Sequence, residues 1–280
     1  KRCLLIINPS SGQRTIQNSL DKLTGQLILQ QLVNHIDVFY TQKKDDAYNH
    51  VLNVDEKNYD FIIVVGGDGT INEVVSGMVS TNKKIPLCIL AAGTVNDFAN
   101  YLNLPNQVDK VCAMIKQFKT LCLDVGKIND RYFMNVAAGG MFSDVSFTVK
   151  LNLPSQLNTN IDLKVVIDNY ETKEFEAKMF MVSNTNRVGG FDRIIPYADV
   201  QDGLLDLIII KKCSVTDLMA LSKDYLLHKH AKSPFIFYTQ AKKITISTKQ
   251  ELVIDIDGEE GSPLPVTIEV VPQALNILIP

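Results

Sequence analysis

A basic excess is missing from this chain. Its 28 lysines and arginines stand against 31 aspartates and glutamates, a formal net charge of −3. That argues against a nucleic-acid binder working by phosphate neutralisation, which normally carries a clear cationic surplus. Cysteine is scarce: Cys3, Cys88, Cys112, Cys122 and Cys213 are odd in number and never form a CxxC. They are expected to be buried free thiols in a reducing compartment. No apolar run approaches the roughly 18 residues of a membrane span; the uninterrupted ones are short, such as Phe61–Val65. The apolar opening Cys3–Ile7 is too brief for a secretory leader and runs into Asn8-Pro9. Because the chain opens at Lys1 rather than Met, residues are expected to be missing from its front. Internal repeats and low-complexity linkers are absent too. What is present is a folded-protein composition, 46% apolar and 21% charged over 280 residues. That length corresponds to about two domains and can hide about three-quarters of its unfolded surface without a disulfide or metal staple.

The first part of the chain alternates strand-like and helix-like segments, the pattern of a parallel sheet with crossover helices. Cys3–Ile7, Ile36–Thr41, Phe61–Val65 and Leu87–Ala91 read as strands. The spacing of Ile16, Leu20, Leu23 and Leu27 predicts a helix, as does that of Ile71, Val74, Val75, Met78 and Val79. Ala47–Leu52 is expected to be a short helix, and Val111, Cys112, Ile115 and Phe118 mark another. After Leu121 the rhythm changes to strands with short turns. Leu121–Ile128 and Tyr132–Ala138 flank the turn pair Asn129-Asp130, and Leu163–Asp168 and Phe175–Ser183 flank Asn169–Lys173, so two hairpins are expected. Leu205–Ile210, Phe235–Thr239, Lys243–Ser247, Leu252–Asp257, Val266–Val271 and Asn276–Ile279 complete a mainly antiparallel half. One helix interrupts it, Ser214–Leu227, opened by Ser214 with Asp217 three residues on, a capping-box-like start.

Three small-residue turns close three of the apolar strands: Asn8-Pro9-Ser10-Ser11-Gly12, Gly66-Gly67-Asp68-Gly69-Thr70, and Ala92-Gly93-Thr94-Val95-Asn96-Asp97. Glycines let backbone approach a phosphate, and a following helix start offers unpaired N–H groups and a positive dipole end. In an open α/β sheet, ligands bind outside the carboxyl ends of the strands, so the three turns are expected to meet in one nucleotide site. Asp68 is an odd choice for a pure anion cradle and makes sense where a divalent cation or ordered water bridges it to phosphate. Asp68 and Asp97, both on these turns, are the pair expected to organise catalytic Mg²⁺ and its waters. Ordinary chemistry competes at each point: Thr70 with Glu73 fits a capping box, and Asp-Gly is common turn material.

On these turns the sequence resembles the soluble bacterial diacylglycerol kinase family, lipid kinases sharing a catalytic domain with eukaryotic diacylglycerol and sphingosine kinases. Asn8-Pro9-x-Ser11-Gly12, Gly66–Thr70 followed by Ile71-Asn72-Glu73, and Gly93-Thr94-x-Asn96-Asp97-Phe98-Ala99 carry the likeness. It continues through Asp124-Val125-Gly126, Phe133-x-Asn135, Gly189-Gly190-Phe191, Asp202-Gly203-Leu204-Leu205-Asp206 and Asp257-Gly258-Glu259, nearly the whole chain. The GGDGT element is shared with NAD kinases; GTxNDFA points to the lipid branch. The resemblance implies a Rossmann-like nucleotide-binding α/β domain over residues 1–122, to which a last strand at 274–280 returns. It implies a β-rich lipid-acceptor domain over 123–273. It implies ATP contacts at Asn8 to Gly12, Thr41, Gly67 to Glu73 and Thr94. It implies a divalent metal on Asp202 with main-chain help from Asp199 and Leu204, and Glu259 as proton acceptor. The implied partner is a lipid substrate at the inner membrane face, met by a cytoplasmic, peripheral protein that forms homodimers.

Residue chemistry alone leaves Glu259 equal to Glu260 beside a D-G turn, and Asp202 as turn material. The chain departs from the family at Ala91-Ala92, where Leu-Pro is usual, and at Gln13, where relatives place Lys; Arg14 is the nearest cation. Between Thr148 and Ile161 the text TVKLNLPSQLNTN is shorter than expected, which bears on lipid entry. His35, His50, His228 and His230 have no zinc-like spacing, and His228-Lys229-His230 reads as a solvated helix end. Lys223, Lys229, Lys232, Lys242, Lys243 and Lys249, interrupted by one acid, Asp224, read as a solvated surface. The expected function is ATP-dependent phosphorylation of diacylglycerol to phosphatidic acid. A kinase of a sphingoid, glycolipid or NAD acceptor, or a non-catalytic nucleotide sensor, stays open.

Overall fold

The computed structural model describes residues 1–11, 15–140, 160–227 and 229–280. Two compact units emerge, Lys1–Asp124 with Pro272–Pro280, and Val125–Val271. The first holds β1 (Arg2–Ile7), α1 (Thr15–Leu29), β2 (His35–Tyr40), α2 (Asp46–Asn53), β3 (Phe61–Gly66), α3 (Asp68–Ser80), β4 (Leu87–Ala91), α4 (Asp97–Tyr101) and α5 (Val108–Gln117). Its strands run parallel in the order β4-β3-β1-β2. The end of the last strand, β15 (Val266–Ile279), adds a parallel neighbour through Ile277 and Leu87. Alternate residues of the central strands face opposite sides, yet all are buried along β3, as a sheet covered on both faces requires. One side packs Cys3, Leu5, Ile63 and Cys88 against Leu23 and Leu27 of α1 and Val111 and Ile115 of α5.

The return of β15 is fixed by polar ties as well as burial. The buried Asp124 carboxylate accepts the Gln273 N–H at 2.8 Å, and Asn276 Nδ2 donates to the Lys84 carbonyl at 2.8 Å. Val266–Val271 and Asn276–Ile279, expected as two strands, form one strand of 14 residues.

The second unit is antiparallel. It contains the end of β5 (Lys119–Ile128), β6 (Arg131–Phe133), β7 (Val136–Gly140), β8 (Ile161–Ile167), β9 (Glu171–Ser183), β10 (Leu205–Lys211), α6 (Val215–Leu226), β11 (Ile236–Ala241), β12 (Lys243–Ser247), β13 (Val253–Ile256), β14 (Glu259–Pro263) and the start of β15. The first half of β9 pairs with β8, its second half with β7 and β10. The second hairpin turns more tightly than expected, on Asp168 and Asn169 with φ of 49° and 66°, so Glu171–Lys173 join the strand. Asx residues tolerate that left-handed backbone.

The expected strand Tyr132–Ala138 breaks in two. β6 pairs with β5, while β7 pairs with β9 and β13. Opposite Phe133 stands Gly126, where any side chain would overlap the Phe133 ring. α6 begins as its sequence predicts, with Ser214 and Asp217 forming a reciprocal capping box. Two expectations are corrected. Cys122 and Cys213 are only partly buried, unlike Cys3, Cys88 and Cys112, because they lie outside the continuous apolar core. His230 is no solvated end: it is buried, its Nε2 lies 2.9 Å from the Ile194 carbonyl oxygen, and its ring packs edge-on to Tyr225. His228 lies outside the described residues, as do positions 148–159 of the short segment. Among the described residues no helix is long and apolar enough to cross a membrane.

Candidate active site

Parallel pairing in register brings the carboxyl ends of β1, β3 and β4 side by side, and with them the three turns. Asn8 N–H donates to the Val65 carbonyl at 2.9 Å and Ala92 N–H to the Gly66 carbonyl at 2.8 Å. The Asn8 side-chain amide donates to Thr70 Oγ1 at 2.8 Å, and Gly67 N–H to Ser11 Oγ at 3.2 Å. Ser10 N–H donates to Asn8 Oδ1 at 2.9 Å, which curls the first turn, while Pro9 and Ser10 are exposed. Thr41, just past β2, is buried and donates its N–H to the Ile7 carbonyl at 2.9 Å. Gly12, Gln13 and Arg14 lie outside the described residues.

The second and third turns touch through backbone. A Cβ on Gly93 would meet Gly67 Cα at 2.9 Å and Asn96 Oδ1 at 2.8 Å, so no side chain fits there without moving main chain. Asn96 locks the third turn: its Oδ1 accepts from Gly93 N–H at 2.9 Å and its Nδ2 donates to the Gly93 carbonyl at 2.8 Å. It adopts a left-handed φ of 54°, which asparagine accepts at low cost. Its own N–H donates to Asp68 Oδ2 at 2.9 Å, so Asp68 is joined to the residue preceding Asp97, which is buried. Thr94 and Gly69 are exposed, and Asn72 accepts from Ser76 Oγ at 3.1 Å.

The capping-box alternative for Thr70 and Glu73 fails. α3 starts three residues earlier than a Thr70 cap would require, at Asp68 with Gly67 before it, and Ile71 and Thr70 are already inside and buried. Glu73 instead accepts the N–H groups of Asp45 at 3.0 Å and Ala47 at 3.1 Å, tying the start of α2 to α3. α3 therefore starts with no side-chain cap, and a helix N-terminus of this kind suits phosphate.

The remaining candidates stand in the second unit. Glu259 opens β14, half-buried, with Arg131 Nη2 3.5 Å from its Oε2; Arg131 Nη1 donates to the Glu260 carbonyl at 2.8 Å. Glu260 itself is exposed, so the strand alternation separates two carboxylates that the sequence leaves equal. The turn before Glu259 is held by Asp257, whose carboxylate accepts three N–H groups: Met134 at 2.7 Å, Asn135 at 2.9 Å and Val136 at 2.9 Å. These same bonds cut the expected strand Tyr132–Ala138. Arg131 and Asp257 went unassigned in the sequence because nothing local marks their partners, more than 120 positions away.

At the proposed metal turn, Asp202 Oδ1 accepts from Leu204 N–H at 2.9 Å and its Oδ2 from Gln240 Nε2 at 3.2 Å. Asp199 Oδ1 accepts from Gln201 N–H at 3.0 Å. The neighbouring Asp206 is buried and hydrogen-bonded by Tyr238; burial pushes its carboxyl up to about 6, with the charges of Asp202 and Asp199 adding to the rise. Among the described residues no three His, Cys, Asp or Glu side chains gather at metal-binding distance. The donors named for a cation here, the Asp202 carboxylate with the main chain of Asp199 and Leu204, would offer oxygen, the donor type that Mg²⁺ takes.

Comparison with known proteins gives this arrangement a context. The family model described as the diacylglycerol kinase catalytic domain matches residues 2–128, and the YegS C-terminal NAD kinase beta sandwich-like domain matches residues 146–279. A diacylglycerol kinase of Staphylococcus carnosus (strain TM300) is 30% identical over all of this chain and 95% of its own length. One from Staphylococcus haemolyticus (strain JCSC1435) is 32% identical over 95% of this chain and 84% of its own. The crystal structure of a diacylglycerol kinase from Bacillus anthracis str. Sterne superposes with a TM-score of 0.82 at 27% identity, covering 100% of this chain and 97% of that one. An NAD kinase from Archaeoglobus fulgidus, solved in complex with ATP, shares the fold at a TM-score of 0.58 and 15% identity, over 99% of this chain and 93% of that one.

Proposed function

The chain belongs to the diacylglycerol kinase family, and we propose that it is an ATP-dependent lipid kinase that converts diacylglycerol to phosphatidic acid at the cytoplasmic membrane face. The observation that carries the reading is the mutual contact of the three turns, with Asp68 bonded to Asn96 across them. On this reading the first unit is the nucleotide-binding domain and the second holds the lipid acceptor.

Phosphoryl transfer passes through a loose transition state, so positioning and charge neutralisation do most of the work. Backbone N–H groups at Gly67–Thr70 and around Gly93-Thr94 hold the triphosphate, and the turn Asn8–Gly12 with Thr41 orients the nucleotide. The acceptor hydroxyl oxygen bonds to the γ-phosphorus as the bond from that phosphorus to the bridging oxygen breaks, leaving ADP. Glu259 takes the hydroxyl proton, and Arg131 holds its carboxylate in place. Mg²⁺, when bound, would offset charge on the phosphates; Asp68 and Asp97 would hold its waters, and Asp202 with the main chain of Asp199 and Leu204 would hold a second cation.

The test is an acceptor panel in mixed micelles with labelled ATP and product identified by mass. Glu259→Ala is expected to lower turnover by about a thousandfold or more while unfolding and ATP binding stay unchanged. Transfer to NAD but to no lipid would overturn the acceptor assignment. ATP binding without transfer to any acceptor would instead make the chain a sensor.

A further inference from the structure

A surface helix ordinarily turns its apolar side inward; α6 does so with Leu218, Leu221 and Tyr225 but carries apolar side chains on its outer face as well. Leu221 is its buried residue, while Met219 is 69% and Leu226 76% exposed. Positions 215, 219, 222 and 226 step by four, three and four, so Val215, Met219, Ser222 and Leu226 form one outward row. Thr216, Ala220, Lys223 and Leu227 form the row beside it, and all eight side chains are exposed. Neither row carries an acid. Asp217 lies off both rows and is occupied with Ser214, and Asp224 is half-buried.

The apolar surface continues beyond the helix. Phe191, about half exposed, stands edge-on to the Tyr225 ring, and the Tyr225 hydroxyl donates to the Asp192 carbonyl at 2.7 Å, which fixes that loop to α6. Lys223 on the helix and Lys229 and Lys232 just past it are exposed and form no ion pair among the described residues, while the Asp192 carboxylate beside Phe191 is paired with Arg187 at 3.4 Å and Arg193 at 3.9 Å. In a chain of net charge −3 this is a local reversal of sign.

We propose that the outward face of α6, with Phe191, docks on an anionic lipid bilayer. The combination is that of an interfacial helix: apolar side chains enter the boundary between headgroups and acyl chains while lysines meet anionic headgroups. A second copy fits less well. A two-fold dimer would set the patch against itself, opposing lysine to lysine with no carboxylate in either row to offset them. The proposal deepens the lipid-kinase reading by naming the surface that brings the enzyme to its acceptor. It rests on that reading for its purpose, and its readout, partitioning onto vesicles, needs neither phosphoryl transfer nor diacylglycerol.

The test is cosedimentation of the full chain with vesicles of phosphatidylcholine, alone or with phosphatidylglycerol. Wild type is expected to prefer the anionic vesicles. Met219→Asp with Leu226→Asp should lower partitioning by about tenfold or more. Lys223→Gln with Lys229→Gln should lower it by about fivefold per lysine on anionic vesicles and little on neutral ones. ATP binding and thermal unfolding, unchanged in all variants, check the fold. Wild type that ignores vesicles, or a Met219/Leu226 variant that binds them as wild type does, overturns the proposal. A wild-type dimer abolished by Met219→Asp and Leu226→Asp, with vesicle binding unaltered, assigns the face to a second copy instead. Intact vesicle binding with no transfer to any lipid would sink the kinase reading and leave the docking surface standing.

Discussion

Every residue of β3 in the first unit is buried, whereas β8 in the second alternates buried with exposed positions along most of its length. The same contrast governs how each unit builds its chemistry. In the first, parallel strands end together and the functional contacts are made largely by backbone: Gly67 against Gly93, with Asn96 and Asp68 as the side-chain locks. In the second, neighbouring strands run in opposite directions, and a carboxylate or guanidinium must reach across to fix a turn, as Asp257 and Arg131 do. Backbone sites tolerate side-chain change and fail on added bulk; side-chain sites do the opposite.

The sharpest way to break that contrast is Gly93→Ala. One added carbon forces the second and third turns apart, and a displacement of about 1 Å at a phosphoryl-transfer site costs about a hundredfold in kcat/KM. Steady-state kinetics with ATP varied would measure it, and activity within about threefold of wild type would mean that the close backbone contact is dispensable. Asp257→Ala is next: three N–H groups lose a charged acceptor, and a loss of about 3 kcal/mol in urea unfolding is expected. Nucleotide binding should persist in this variant under native conditions, since the bonds from Met134, Asn135 and Val136 to Asp257 all lie within the second unit. Its loss would mean that this carboxylate serves the three turns as well. The smallest effect belongs to Ser214→Ala, which removes the α6 cap and should cost about 1 kcal/mol in thermal unfolding. A much larger loss would show that α6 is anchored by its first turn more than by Leu221.

The strands of the first unit were legible because a doubly covered sheet writes continuous apolar runs, and Leu87–Ala91 matches residue for residue. Capping at Ser214 was legible because a capping box is local. The same pattern at Thr70 and Glu73, weighed only as a competing reading, is no cap: the helix starts earlier and Glu73 serves the backbone of another helix. β14 escaped notice because Glu259-Glu260-Gly261-Ser262-Pro263 has no apolar period; it is a strand only because β13 pairs with it. His230 read as solvated because its sequence neighbours Lys229 and Lys232 are polar and exposed, while the groups that bury its ring, Tyr225 and the Ile194 carbonyl, are not adjacent to it in the sequence.

Composition, apolar period and turn residues by themselves determined most of the order of elements, the change from parallel to antiparallel rhythm, and the three turns at strand ends, since each is written within a dozen residues. Tertiary structure alone decided which of two adjacent glutamates is held by Arg131, which amides Asp257 collects, and that α6 turns Met219 and Leu226 outward. Those depend on partners brought together from positions far along the chain, and burial is a property of the packed neighbours, not of the residue that is buried.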